Sequence, residues 1–158
     1  MSGPRLFFTA IGLSSLILSI AAHSKTIDTL APHAILYDMT TDTILLDKES
    51  DVPMPPASMS KLMTVYMVLE RLKSGSLSLD DSFLVSRKAW RKGGSKMFVM
   101  VNKRGSVRDL LRGIIVQSGN DACIVIAEGI SGSEKSFADA MTIKGKEIGL
   151  RESSFKNS

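Results

Sequence analysis

The chain has 158 residues, 44% of them hydrophobic and 23% charged, which is enough for one domain with a real core and too few for two. Twenty Lys and Arg against 16 Asp and Glu leave a formal charge of +4, an excess too mild to argue for a nucleic-acid partner. A single cysteine excludes an internal disulfide, and two histidines leave little for a Ser-His-Asp triad or a His/Cys metal centre, so neither a metal nor another cofactor is expected.

Residues 1–24 carry one charge, Arg5, followed by an apolar run over 6–22, the layout of a secretory signal peptide. Ala22-His23-Ser24 places small residues where a signal peptidase inspects the chain, so cleavage is expected after Ser24, with Ser19-Ile20-Ala21 as a second site. The expected organisation is therefore a leader over 1–24 and an exported body over 25–158, in the periplasm or on the outer face of the cytoplasmic membrane. An uncleaved leader is the alternative, because its apolar run approaches a bilayer-spanning length.

The body opens with two β-favouring runs, residues 34–38 and 43–47, around a Thr/Asp centre, which reads as a hairpin buried on at least one face. Pro55 and Pro56 then deliver an extended chain to a helix beginning near Ser58. Leu62, Met63, Val65, Tyr66, Leu69 and Leu72 supply its apolar spacing, and Arg71, Lys73 and Gly75 supply a cationic last turn and a stop. Residues 77–81 and 83–85 read as short extended pieces, and 86–106 as loop with at most short elements. Ser106 caps a second helix that carries Leu110, Leu111, Ile114, Ile115 and Val116, and an apolar run over 122–130 makes a third. Cys123 in that run reads as a small buried apolar residue. The basic stretch Arg87, Lys88, Arg91, Lys92, Lys96, Lys103, Arg104 and Arg108, interleaved with Trp90 and Phe98, reads as a solvated face.

Two short motifs bear on chemistry. Residues i and i+3 share a helix face, so the Ser58 hydroxyl and the Lys61 amine can meet one turn apart. A serine hydroxyl needs a neighbouring base to become a nucleophile, and with histidine so scarce a lysine must supply it. A second Ser-x-x-Lys, Ser153 to Lys156, lies in the last six residues, where ends fray, and is given no function. Ser118-Gly119-Asn120 projects a hydroxyl and an amide from the turn between two helices. The bland reading is that Asn120 or Asp121 caps the following helix while Gly119 permits the turn.

Together, Ser58-Met59-Ser60-Lys61 and Ser118-Gly119-Asn120 resemble the first two motifs of the penicillin-binding proteins and serine β-lactamases. With the flanking text Pro56-Ala57 and Leu62-Met63-Thr64, and Asp121-Ala122-Cys123, the chain is similar above all to the low-molecular-mass D-alanyl-D-alanine carboxypeptidases. The resemblance covers residues 34–157. It implies an α/β (α+β) fold of the β-lactamase/transpeptidase type, a helical cluster packed on an antiparallel sheet. Lys73-Ser74-Gly75 fits the third motif, KTG, but in the wrong place, before Ser118, and reads as helix C-terminal chemistry. With no KTG after Ser118, the expectation is the N-terminal part of a D,D-peptidase domain, cut before that motif and lacking its C-terminal strands.

What the resemblance implies about chemistry follows residue by residue. Ser58 attacks the carbonyl of a terminal D-Ala-D-Ala bond, Lys61 takes its proton, Ser118 relays a proton to the leaving nitrogen, and Asn120 binds the substrate amide. The implied partners are a peptidoglycan stem peptide ending in D-Ala-D-Ala and β-lactam antibiotics as covalent inhibitors. Membrane association is implied only through residues absent here or an uncleaved leader. A D,D-endopeptidase, a β-lactamase-like hydrolase and an inactive wall-peptide binder are the alternatives.

Overall fold

The computed structural model describes residues 27–158, so the expected leader and its cleavage site lie outside the described residues. Two compact units divide the chain after Pro53.

In the first unit, β1 (Ala34–Asp38) and β2 (Thr43–Lys48) form the expected antiparallel hairpin, with Leu36 opposite Leu46 and a register shift between Leu36 and Tyr37. Its turn lacks the usual glycine and is held by side chains instead. Asp38 accepts the Thr40 N–H at 2.8 Å and the Thr41 hydroxyl at 2.7 Å, while Asp42 takes the left-handed conformation at φ 57°. The Thr41 hydroxyl first, and the Thr40 N–H second, hold the Asp38 carboxyl below the usual carboxylate range. The expected burial is not found. Ile35, Leu36, Tyr37, Ile44 and Leu45 are all exposed, because a two-stranded ribbon by itself covers neither of its faces.

The second unit is helical with one small sheet. A 3-10 turn (Ala57–Ser60) leads into α1 (Lys61–Ser74), so the α-helix starts three residues later than the sequence suggests, and Ser58 sits in the turn before it. Gly75, left-handed at φ 73°, ends α1 as expected, with Arg71 and Lys73 in its last turn. β3 (Ser82–Leu84) pairs antiparallel with β4 (Arg104–Ser106), and between them lies the one-turn α2 (Arg87–Arg91). Within the stretch 86–106, then, α2 and β4 are the short elements and the rest is irregular. Ser106 caps α3 (Val107–Gln117) by accepting the Asp109 N–H at 3.1 Å.

The centre of this unit is α4 (Asn120–Ser131), in which every residue from Asp121 to Ala127 is buried. A helix buried on all sides needs neighbours all round. It has them in α1, α2, α3, β3 and α5 (Glu134–Glu147), a helix to which the sequence reading assigned nothing. Phe137 and Met141 of α5 are fully buried, and Lys144 ties α5 to α1 through Glu70 at 3.1 Å. The last residues are not frayed: the Phe155 N–H donates to the Thr142 hydroxyl at 2.9 Å and the Phe155 ring packs on the core. The whole is a mixed α+β structure with antiparallel strands, as the sequence suggests.

Two outcomes follow from this packing. Gly129 of α4 lies against the ring of Phe83, leaving no room for a β-carbon, so Gly129→Ala should destabilise the protein by about 1–3 kcal/mol, read as a lower denaturation midpoint. Cys123 is fully buried, and burial pushes its thiol up from an ordinary 9.0 to about 12. Iodoacetamide at pH 9 should therefore leave Cys123 unmodified until denaturant is added, which a mass spectrum before and after unfolding checks.

Candidate active site

Lys61, the first residue of α1, is buried at 7% exposure, and its Nζ is the meeting point of the two motifs. It donates to Ser58 Oγ at 3.2 Å, Ser118 Oγ at 3.0 Å, the Ser118 carbonyl at 2.7 Å and Asn120 Oδ1 at 2.6 Å. An ammonium has three donors, so these four oxygens share them. All four partners are neutral, and together they satisfy a cation that would otherwise be costly to bury. Ser58 is exposed, so a hydroxyl open to solvent stands beside an amine that is not.

The backbone explains how two turns so far apart in sequence meet here. Ala57, just before Ser58, has φ 48°, and Ser118 has φ 52°, a left-handed conformation that costs a non-glycine residue on the order of 1 kcal/mol or more. At Ser118 this conformation ends α3 and turns both the hydroxyl and the carbonyl of one residue toward Lys61. Asn120 and Asp121 do not cap α4, contrary to the bland sequence reading. The cap position is Gly119, without a side-chain bond, and both residues lie inside the first turn.

A loop running past the site completes it. The Asn120 N–H donates to the Ser95 carbonyl at 2.8 Å, and Asn120 Nδ2 to the Gly93 carbonyl at 2.8 Å. A carbonyl can only accept, so the amide orientation is fixed, with Oδ1 left to face the Lys61 donor. Gly94 has φ 80°, and a β-carbon there would stand 2.7 Å from Asn120 Nδ2. Asp121, fully buried, accepts the Met97 and Val99 N–H groups at 3.0 and 3.1 Å.

These residues open onto a cleft of about 310 Å³ whose lining includes Ser58, Lys61, Lys92, Asn120 and Glu134. Glu134, in the first turn of α5, is paired with Lys88 at 2.7 Å. Sequence reasoning placed Lys92 on a solvated basic face and did not single out Glu134 or the clamp made by Asp121, because nothing in their spacing marks them. A larger cleft, about 660 Å³, lies away from Ser58 between Arg71, Asp80, Phe83 and Arg104 and contains no nucleophile beside a base. Among the described residues, no group of His, Cys, Asp and Glu side chains could hold a metal ion, and no helix is long and apolar enough to cross a membrane.

Of the four sequence-predicted site residues, then, the fold brings Ser58, Ser118 and Asn120 within hydrogen-bond reach of the fourth, at Lys61 Nζ. Comparison with known proteins places the chain in a family. The D-alanyl-D-alanine carboxypeptidase family profile matches residues 19–158. The D-alanyl-D-alanine carboxypeptidase DacF of Bacillus subtilis is 40% identical over 127 residues, covering 80% of this chain and 33% of that protein. The crystal structure of the D-alanyl-D-alanine carboxypeptidase DacD from Francisella tularensis superposes with a TM-score of 0.80 at 41% identity, covering 84% of this chain and 32% of that one. Penicillin-binding protein D2 of Listeria monocytogenes, solved in its ampicillin-bound form, superposes with a TM-score of 0.70 at 29% identity, covering 80% and 51%. The chain thus spans about a third of the length of the D-alanyl-D-alanine carboxypeptidases it matches. With the family profile matching residues 19–158, it belongs to the D-alanyl-D-alanine carboxypeptidase family.

Proposed function

We propose that residues 25–158 form the part of a serine D,D-carboxypeptidase domain that carries the nucleophile, acting on peptidoglycan stem peptides that end in D-Ala-D-Ala. The observation that carries this reading is the position of Lys61 Nζ between Ser58 Oγ and Ser118 Oγ. With Lys61 as the free amine, Ser58 Oγ attacks the carbonyl of the terminal D-Ala-D-Ala bond while its proton passes to Nζ. The Ser118 hydroxyl, also on Nζ, hands its proton to the departing nitrogen and takes the proton on Nζ in return, so D-alanine leaves as the amine, Lys61 is a free amine again and the peptide stays as an ester on Ser58. Water, deprotonated by the same amine, then hydrolyses the ester. The N–H of Ser58 supplies one donor to the developing oxyanion, and Asn120 receives the substrate amide.

The same ester explains β-lactams as covalent inhibitors, since opening their ring acylates Ser58 without releasing a leaving group. The ampicillin-bound relative supports that chemistry. A leader over residues 1–24, read from the sequence, would deliver the domain to the periplasmic face of the membrane, where peptidoglycan lies.

Incubation with a fluorescent penicillin tests the reading. A single adduct should map to Ser58, vanish in Ser58→Ala, and form at least about a thousandfold more slowly in Lys61→Ala. No adduct on Ser58 would overturn it. Ser118→Gly separates the roles of that residue: glycine relaxes the left-handed backbone by about 1 kcal/mol, roughly offsetting the lost Lys61 contact. Its thermal midpoint should stay close to the parent's while acylation falls about a hundredfold or more.

A further inference from the structure

Asp121 is a fully buried carboxylate that makes no contact with Lys61 or Ser58 among its hydrogen bonds, yet two of the three bonds it accepts come from one segment near the site. Oδ1 takes the Met97 N–H at 3.0 Å and its own neighbour's, Ala122, at 2.9 Å; Oδ2 takes the Val99 N–H at 3.1 Å. The two loop donors flank Phe98, a residue 78% exposed whose backbone is left-handed at φ 64°. A bulky exposed side chain does not choose that conformation for its own packing, so the surroundings must impose it. The carboxylate grips the chain on both sides of the strained residue, beside the bond from the Asn120 N–H to the Ser95 carbonyl and the burial of Val99.

The consequence reaches the site through Asn120. The loop so held presents the Ser95 and Gly93 carbonyls to the Asn120 backbone and side chain. The Gly93 carbonyl fixes which end of the amide meets Lys61. If the loop drifts, the amide loses its orienting acceptor and can turn its NH2 toward an ammonium that can only donate. Resting on the carboxypeptidase reading above, we propose that Asp121 is a positioning residue of the active site: by clamping Met97 and Val99 it holds loop 93–99 against α4 so that Asn120 faces Lys61 as an acceptor.

Asp121→Asn is the direct probe. The amide keeps an oxygen for Met97 and Ala122 but sets an NH2 against the Val99 N–H, loosening one side of the clamp with almost no change of volume. In the full protein, acylation of Ser58 by fluorescent penicillin should slow about tenfold, well below the thermal midpoint. It should slow no further when combined with Asn120→Ala than in Asn120→Ala alone. Effects that multiply in the double variant, or an unchanged rate with only a lowered midpoint, would overturn the proposal. Gly94→Ala, which crowds Asn120 Nδ2 from the loop side, should show the same lack of additivity if Asp121→Asn does not fold. A second readout is independent of the reaction: hydrogen exchange of the Asn120 side-chain amide, followed by NMR, should quicken about tenfold in Asp121→Asn. Unchanged exchange would overturn the proposal even if the parent takes up no penicillin, a result that would count against the carboxypeptidase reading instead.

Discussion

A single buried nitrogen holds the two halves of the site together. Lys61 Nζ is bonded to oxygens from a 3-10 turn three residues before it and from a helix-ending turn 57 and 59 residues after it. Core packing of α1 against α3 and α4 brings the two turns together, and their oxygens together satisfy the buried amine. No carboxylate is among its partners, so the amine is held by the dipoles of neutral oxygens alone.

The rest of the second unit reads as support for that meeting point. Burial of α4 on all sides fixes the start of the helix that carries Asn120 and Asp121, and α1 packs beside it with Met63, Thr64, Met67 and Val68 buried. Left-handed residues stand beside each motif, Ala57 before Ser58 and Ser118 itself, and a third, Phe98, sits in the loop that braces Asn120. Strain of this kind persists only where packing or hydrogen bonding over-determines the backbone. In this chain the buried helix and the Asp121 clamp are the parts that do so.

Much of this was legible in the sequence, and the boundary follows physical lines. The i, i+3 relation of Ser58 and Lys61 could be read from local geometry, although the 3-10 turn that holds Ser58 could not. The link to Ser118 and Asn120 came from resemblance, since no local rule spans that separation. Burial of the hairpin was misread: its apolar run is consistent with cover on one face, but a two-stranded ribbon supplies none of that cover itself. The helix Glu134–Glu147 carried signals that could have been used, a Ser133 cap and buried Phe137, Ala138 and Met141 on one face. The clamp was out of reach in principle, because Asp121 bonds to backbone N–H groups, which every non-proline residue possesses.

The most direct test is rapid-quench mass spectrometry of the protein mixed with a short N-acylated peptide ending in D-Ala-D-Ala. The account predicts a transient ester on Ser58 with the mass of the peptide less D-alanine, formed in step with one equivalent of released D-alanine. Release of D-alanine with no ester on Ser58, or with the ester on another residue, would contradict it.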